Sequence, residues 1–203
     1  MKYTDFEHGL KRILPVFSKR DLEKMNLKVF DWQLSSWQKK GYLKRICNNF
    51  YQFREQEIPK EKIANTIYQP SYVSLESALY YYNLTEDVVF QITSVTTKKT
   101  REILSGKDIY IYQKIKARAF TGYHTIKIEN FDILIACPEK ALIDFFYLNQ
   151  KKIKTKNAFL ELRFDEDEIK KFDWKLCFAF ASLFDSHNLI QLLRDYREYI
   201  CSL

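Results

Sequence analysis

Residues 31–53 run Asp31-Trp32-Gln33-Leu34-Ser35-Ser36-Trp37-Gln38-Lys39-Lys40-Gly41-Tyr42-Leu43-Lys44-Arg45-Ile46-Cys47-Asn48-Asn49-Phe50-Tyr51-Gln52-Phe53. Phe30, Leu34 and Trp37 recur at helical spacing, which predicts a helix over Asp31–Lys40. Gly41 ends it where a left-handed residue costs little. Beyond it, Tyr42–Cys47 and Phe50–Phe53 are β-prone runs on either side of Asn48-Asn49. Asparagine tolerates positive φ, so this pair suits a tight hairpin turn.

Upstream, Thr4-Asp5-Phe6-Glu7 fits a capping box. Phe6, Leu10, Ile13, Leu14 and Phe17 continue at helical spacing until Pro15 ends or bends the helix. Ser18-Lys19-Arg20-Asp21 reads as a second N-cap, opening a helix that turns Leu22 and Met25 inward. Three helices and a hairpin in this order are the plan of a winged helix-turn-helix. In that plan the third helix enters the major groove and the hairpin wing lies along the backbone or minor groove.

The side chains suit a nucleic-acid partner. With Leu34 and Trp37 inward, the third helix offers Gln33, Ser35, Ser36, Gln38, Lys39 and Lys40. Gln and Ser read base edges, while Lys reads guanine or holds phosphate. No acidic residue occurs from Trp32 to Arg54, whereas Lys44 and Arg45 lie on the wing beside Asn48 and Asn49. Lys19 and Arg20, at a helix N-terminus, are candidates for a phosphate clamp. Trp32 falls off the inward stripe and is either packed on the preceding turn or an exposed contact. Some winged helices dock protein instead of DNA, and the pattern leaves that alternative open.

Charge concentrates in the same segment. The 203-residue chain carries 33 Lys/Arg against 26 Asp/Glu, a net of +7. Residues 1–57 hold 12 basic against 7 acidic side chains, or +5, while residues 58–149 and 150–203 contribute +1 each. Only four glycines occur, which argues against a Gly-rich phosphate loop and its nucleotide chemistry. The four cysteines are scattered without a Cys-x-x-Cys pair, so no zinc site is expected and reduced thiols in a cytoplasmic protein are the simplest reading. No signal-like leader and no apolar run long enough to span a bilayer are present, so neither export nor membrane insertion is expected.

From Pro59 and Lys60-Glu61-Lys62 onward the pattern becomes mixed α and β, giving units of 1–57 and 58–203 in an α+β chain. A short helix carries Ile63, Ile67 and Tyr68, and Ser74 is placed to cap another bearing Leu75, Ala78, Leu79 and Tyr82. Strands are expected over Val88–Val95, Asp108–Ile115, Tyr123–Ile128 and Phe131–Ala136, the last central in a sheet. Pro138 opens a helix whose stripe is Ala141, Leu142, Phe145 and Leu148, with Lys140 and Asp144 as an outward i,i+4 pair. The tail is helical, with stripes Ile169–Leu183 and Leu189–Ile200. Asp132, Glu139 and Asp144 lack metal-ligand spacing, and His124 and His187 lack triad partners, so the chain does not read as an enzyme and no cofactor is expected. Thr93-Ser94-Val95-Thr96-Thr97-Lys98-Lys99-Thr100-Arg101 combines hydroxyls and positive charge. It is either a solvated sheet edge or a surface for a polyanion or acidic partner.

Several blocks resemble one family. Phe17–Leu22, Trp37–Arg45, Pro70–Leu79, Ile92–Lys98 and Ile135–Asp144 are similar, in order, to segments of AbiEi-family antitoxins. The resemblance covers about residues 17–148, and the last 50 residues add little. It implies a type IV toxin–antitoxin system for phage defence, acting against a nucleotidyltransferase-like toxin without tight sequestration. It also implies winged-helix repression of the antitoxin's own operon at operator repeats in double-stranded DNA. On this reading Thr96, Thr97, Lys98, Lys99 and Arg101 form the antitoxin surface. The wing departs from the family, with Cys47-Asn48-Asn49 where basic residues and a glycine are more usual. Family members also occur without an obvious toxin neighbour, as stand-alone regulators.

Overall fold

A computed structural model describes residues 1–153 and 156–202. Among them are ten α-helices and two β-sheets, an α+β arrangement. The first part comprises α1 (Tyr3–Leu10), β1 (Val16–Ser18), α2 (Lys19–Lys24), α3 (Asp31–Lys39), β2 (Leu43–Cys47) and β3 (Phe50–Phe53). Its antiparallel sheet has the order β1-β3-β2.

Pro15 follows the end of the first helix, and Phe17, expected on that helix's stripe, lies on the strand β1. Helix α1 stops at Leu10, leaving Ile13 exposed, and Phe17 instead pairs with Tyr51 of β3. Pro15 explains this, because it cannot donate the helical hydrogen bond and the buried Val16 and Phe17 favour extended backbone. The Thr4 capping box does not form either. The helix starts at Tyr3, with Lys2 as an N-cap that makes no side-chain bond. Ser18 does cap α2: its hydroxyl accepts from the Asp21 amide, and the Asp21 carboxylate accepts from the Ser18 amide at 2.9 Å. Leu22 is buried but Met25 is exposed, because the helix ends before turning it inward. Phe6, Phe17, Trp37 and Phe53 form the aromatic centre of this part, with Phe6 and Trp37 ring centroids 4.7 Å apart. Gly41 and Asn49 adopt the positive φ that their residue types favour, 76° and 64°.

The second part runs α4 (Lys60–Ile67), β4 (Ser71–Val73), α5 (Leu75–Tyr81), β5 (Ile92–Thr96), β6 (Arg101–Ser105) and β7 (Asp108–Lys114). It continues with β8 (Tyr123–Ile128), β9 (Phe131–Ala136), α6 (Pro138–Asn149), α7 (Lys156–Leu160), α8 (Glu166–Lys170), α9 (Trp174–Ser182) and α10 (His187–Cys201). Its sheet is mixed, in the order β6-β7-β5-β4-β9-β8, with β4–β9 and β5–β7 parallel. β9 is interior but only one strand from the edge. β4 and β6 had no clear signal: one is three residues long and the other opens on Arg101-Glu102, so neither offers a long apolar run. The strand expected over Val88–Val95 begins only at Ile92, and Val88 and Phe90 are exposed in the preceding loop. The Ile169–Leu183 stripe is split because the Asp173 carboxylate accepts from the Lys175 and Leu176 amides and starts a new helix. His187 is the first residue of α10, after the Ser186 cap.

Two packing features join segments that are distant in sequence. Val16 and Ile46 from the first sheet share one apolar cluster with Ile63 and Ile67 of α4 and with Tyr110 and Tyr112 of the second sheet. The connection at 57/58 is therefore bridged by core, and the Tyr112 hydroxyl also donates to the Ala64 carbonyl at 2.8 Å. The second feature is the Lys140–Asp144 pair, which lies on the buried face of α6 and not outward as the sequence suggested. Tyr72 and Ser74 donate to the same Asp144 oxygen at 3.0 and 2.9 Å, so Ser74 spends its hydroxyl there instead of capping α5. Desolvation outweighs the mutual attraction, raising the Asp144 carboxyl and lowering the Lys140 ammonium from their ordinary values.

Candidate nucleic-acid interface

The buried side of α3 consists of Gln33, Leu34 and Trp37. On a helix of 3.6 residues per turn this places Trp32, Ser35, Ser36 and Lys39 on the opposite side. Ser35, Gln38, Lys39 and Lys40 are exposed and Ser36 is half-buried. Gln33 leaves the candidate set. It is 5% exposed, its side-chain oxygen accepts from the Phe30 amide, and its amide nitrogen donates to the Met1 carbonyl at 2.9 Å. The start of the helix needs a partner for a free amide, and Gln33 supplies it.

Trp32 takes its place on the outward face. It is 68% exposed and stacks on Phe30, itself exposed, with ring planes 11° apart. The sequence predicted Phe30 in the inward stripe, but Phe30 precedes the helix as its N-cap, in extended backbone, where helical periodicity does not apply. The signal that could have found Trp32 is its spacing to Ser35 and Lys39, three and seven residues on.

On the hairpin, Lys44 and Arg45 are both exposed, because a register shift between Arg45 and Cys47 breaks strict alternation. Asn48 and Asn49 form the exposed tip, and Arg45 donates to the Asn48 side-chain oxygen at 3.5 Å. Arg20 is exposed at the start of α2. Lys19 is already engaged, with its ammonium 2.8 and 2.9 Å from the two carboxylate oxygens of Asp31. That bridge ties the starts of α2 and α3 together, which makes Lys19 a weaker phosphate clamp than its position alone suggested.

The hydroxyl-rich stretch divides in two. Thr93, Ser94 and Thr96 are buried, and Thr96 donates to the Pro70 carbonyl at 2.7 Å and accepts from the Lys98 amide. Thr96 therefore belongs to the sheet and not to a surface, since β5 is an inner strand. Lys98, Lys99 and Arg101 are exposed and Thr97 is half-buried. Tyr68 organises them: Lys98 and Arg101 sit over its ring at 5.7 and 5.6 Å, and its hydroxyl donates to the Lys99 carbonyl.

The hairpin and this loop meet. β2 is the edge of the first sheet and β6 the edge of the second, and a cleft of about 370 Å³ lies between them, lined by Arg45, Cys47, Asn48, Arg101 and Leu104. Both guanidinium groups act on the Cys47 thiol, yet burial is the larger effect and pushes that thiol above its ordinary value. The chain matches no known family model and no curated protein.

Among the described residues no group of three His, Cys, Asp or Glu side chains is placed to hold a metal ion. Asp144 is committed to Lys140, Tyr72 and Ser74, and Asp132 is exposed on β9. His124 is exposed on β8, its ring nitrogen 3.4 Å from the Tyr82 hydroxyl. The four cysteines are free thiols. Among the described residues no helix is long and apolar enough to cross a membrane. What the first part and the adjoining sheet edge offer chemically is hydrogen-bond donors and positive charge, the chemistry that takes a polyanion.

Proposed function

We propose that this protein is a DNA-binding transcriptional regulator of the cytoplasm. Residues 1–57 act as a winged helix-turn-helix, with α3 as recognition helix and the β2–β3 hairpin as wing. The observation that carries this reading is the outward face of α3, where Trp32, Ser35, Ser36 and Lys39 stand beside a hairpin bearing Lys44 and Arg45. Not one carboxylate interrupts the chain from Trp32 to Arg54. Arg101, across the cleft from Arg45, extends the same surface onto the second sheet.

The test is titration of the full chain with duplex DNA from its own promoter at several salt concentrations. With about five phosphates neutralised, log K falls with log salt at a slope near −5. A Lys39→Ala/Lys40→Ala/Arg45→Ala variant binds more weakly with a shallower slope, and unchanged affinity and slope would remove these residues from the interface.

The resemblance to AbiEi antitoxins supports a second role for residues 58–203: opposing a nucleotidyltransferase-like toxin functionally, without tight binding, through the half-buried Thr97 and the exposed Lys98, Lys99 and Arg101. The chain as a whole then represses its own operon and neutralises the toxin. Co-expression of the toxin with the full chain and with a Lys98→Ser/Lys99→Ser variant tests it, and equal rescue by both would clear this loop of the role. Truncation is a poor substitute, because residues 58–203 alone would expose the apolar surface that Val16 and Ile46 cover. The exposed Phe30–Trp32 pair favours one alternative, a winged helix that docks protein, and absence of promoter binding even at low salt would select it.

A further inference from the structure

The most exposed large apolar side chain among the described residues is Phe90, at 86% exposure, with Val88 two residues before it at 63%. Both line a groove of about 430 Å³ whose floor is Leu79, Phe145, Leu162 and Phe164. Two chain segments distant in sequence build it. The Glu86 amide donates to the Arg163 carbonyl at 3.1 Å and the Asp165 amide to the Leu84 carbonyl at 3.0 Å, so residues 84–86 and 163–165 are laced together. Phe145 and Phe164 pack edge to face beneath them.

The rim is acidic in a basic protein. Glu76, Asp87 and Glu161 line it and no Lys or Arg does, in a chain whose net charge is +7. Arg163 lies 3.6 Å from Asp87 and offsets part of that charge. Glu76 lies on α5 and Glu161 follows α7, so two elements distant in sequence carry the remaining charge.

We propose that this groove docks a basic amphipathic segment of a partner protein, its apolar side chains against Phe90 and Phe164 and its Lys or Arg side chains against Glu76 and Glu161. An apolar trough with charge on its lips is how a protein takes one face of a helix or strand. The local sign opposes that of the whole chain, so electrostatics select the orientation and site of a cationic ligand instead of merely attracting it. A cavity of this volume accommodates a few side chains and not a domain face. The inference is independent of DNA binding, since the groove shares no residue with the basic face.

The experiment uses the full chain and two fluorescein-labelled synthetic peptides of equal length. One is a Leu/Lys peptide with helical periodicity, and the other has Glu at every Lys position. The Leu/Lys peptide is expected to raise anisotropy saturably and the Leu/Glu peptide to bind at least tenfold more weakly. Phe90→Ser and the Glu76→Gln/Glu161→Gln double variant should each weaken the first peptide tenfold or more while thermal unfolding and promoter binding stay unchanged. Equal binding of the two peptides, preference for the Glu peptide, no binding of either, or insensitivity to both variants would overturn the proposal. Concentration-dependent self-association of the free chain that Phe90→Ser abolishes would also overturn it, assigning the groove to a second copy.

Discussion

Arg45 on the hairpin and Arg101 on the edge of the second sheet line the same cleft between the two sheets, together with Cys47. Two guanidinium groups lining one cleft give it positive charge that an anion offsets. A bound phosphate supplies that anion. Arg101→Ala is therefore expected to weaken promoter binding uniformly across sequences and to reduce the magnitude of the salt slope by about 1, as Arg45→Ala does. Lys19→Ala should change the slope much less, because Asp31 already neutralises Lys19. Salt titration of promoter binding measures all three.

Gln33 and Trp32 are neighbours in sequence with opposite roles. Removing Gln33 strips a partner from two backbone groups, and Gln33→Ala is expected to destabilise the fold by about 1–3 kcal/mol in urea denaturation. Any loss of DNA binding should then vanish at temperatures well below unfolding. Trp32→Ala should leave the unfolding midpoint almost unmoved and still lower affinity for the partner of α3. A large stability loss in Trp32→Ala would show that the exposed ring packs more than its position implies.

Lys140→Met leaves Asp144 buried without its counter-charge. At neutral pH the expected cost is about 3–5 kcal/mol in denaturant unfolding. The pH dependence has a definite sign. Burial already raises the Asp144 carboxyl, and removing Lys140 removes the main opposing influence, so the native state binds the proton more tightly than the unfolded chain does. Stability of the variant should therefore fall as pH rises from the unfolded carboxylate range through the folded value, and the deficit should shrink in acid. A pH-independent deficit would mean that lost packing of the lysine stem, and not the uncompensated charge, is the cause.

The thiols should separate by burial. Cys201 is exposed and should be alkylated first by iodoacetamide at mildly alkaline pH. Cys177 is buried, and desolvation lifts it to about 12, so it should remain unmodified in the native protein. Cys47 and Cys137 are half-buried with raised values and should react slowly. Mass spectrometry of partially labelled protein gives the order, and early labelling of Cys177 would contradict its burial.

Local rules recovered the elements whose signals are local. The Ser18 cap, the Gly41 stop, the Asn48-Asn49 turn, the Pro138 helix start and the buried stripe of α10 depend on residues within a turn or two of one another. The same rules failed where the deciding partner is distant. β1 exists because β3 pairs with it, β4 because β5 and β9 flank it, and Asp144 is buried because Tyr72, from more than seventy residues upstream, covers it. Thr96 looked like surface because its hydroxyl partner, the Pro70 carbonyl, lies on another strand's approach.

By itself, the sequence determined the α+β class, the basic character of residues 1–57 and the face of α3 that carries Ser35 and Lys39, since these follow from composition and period. Tertiary structure alone decided that Gln33 is internal and Trp32 external, and that Arg45 and Arg101 share a cleft. It also decided that Glu76, Asp87 and Glu161 border one groove. Charge counted along the chain averages such a rim away, because electrostatic potential depends on distance in space and two segments can be neighbours there while lying far apart in sequence.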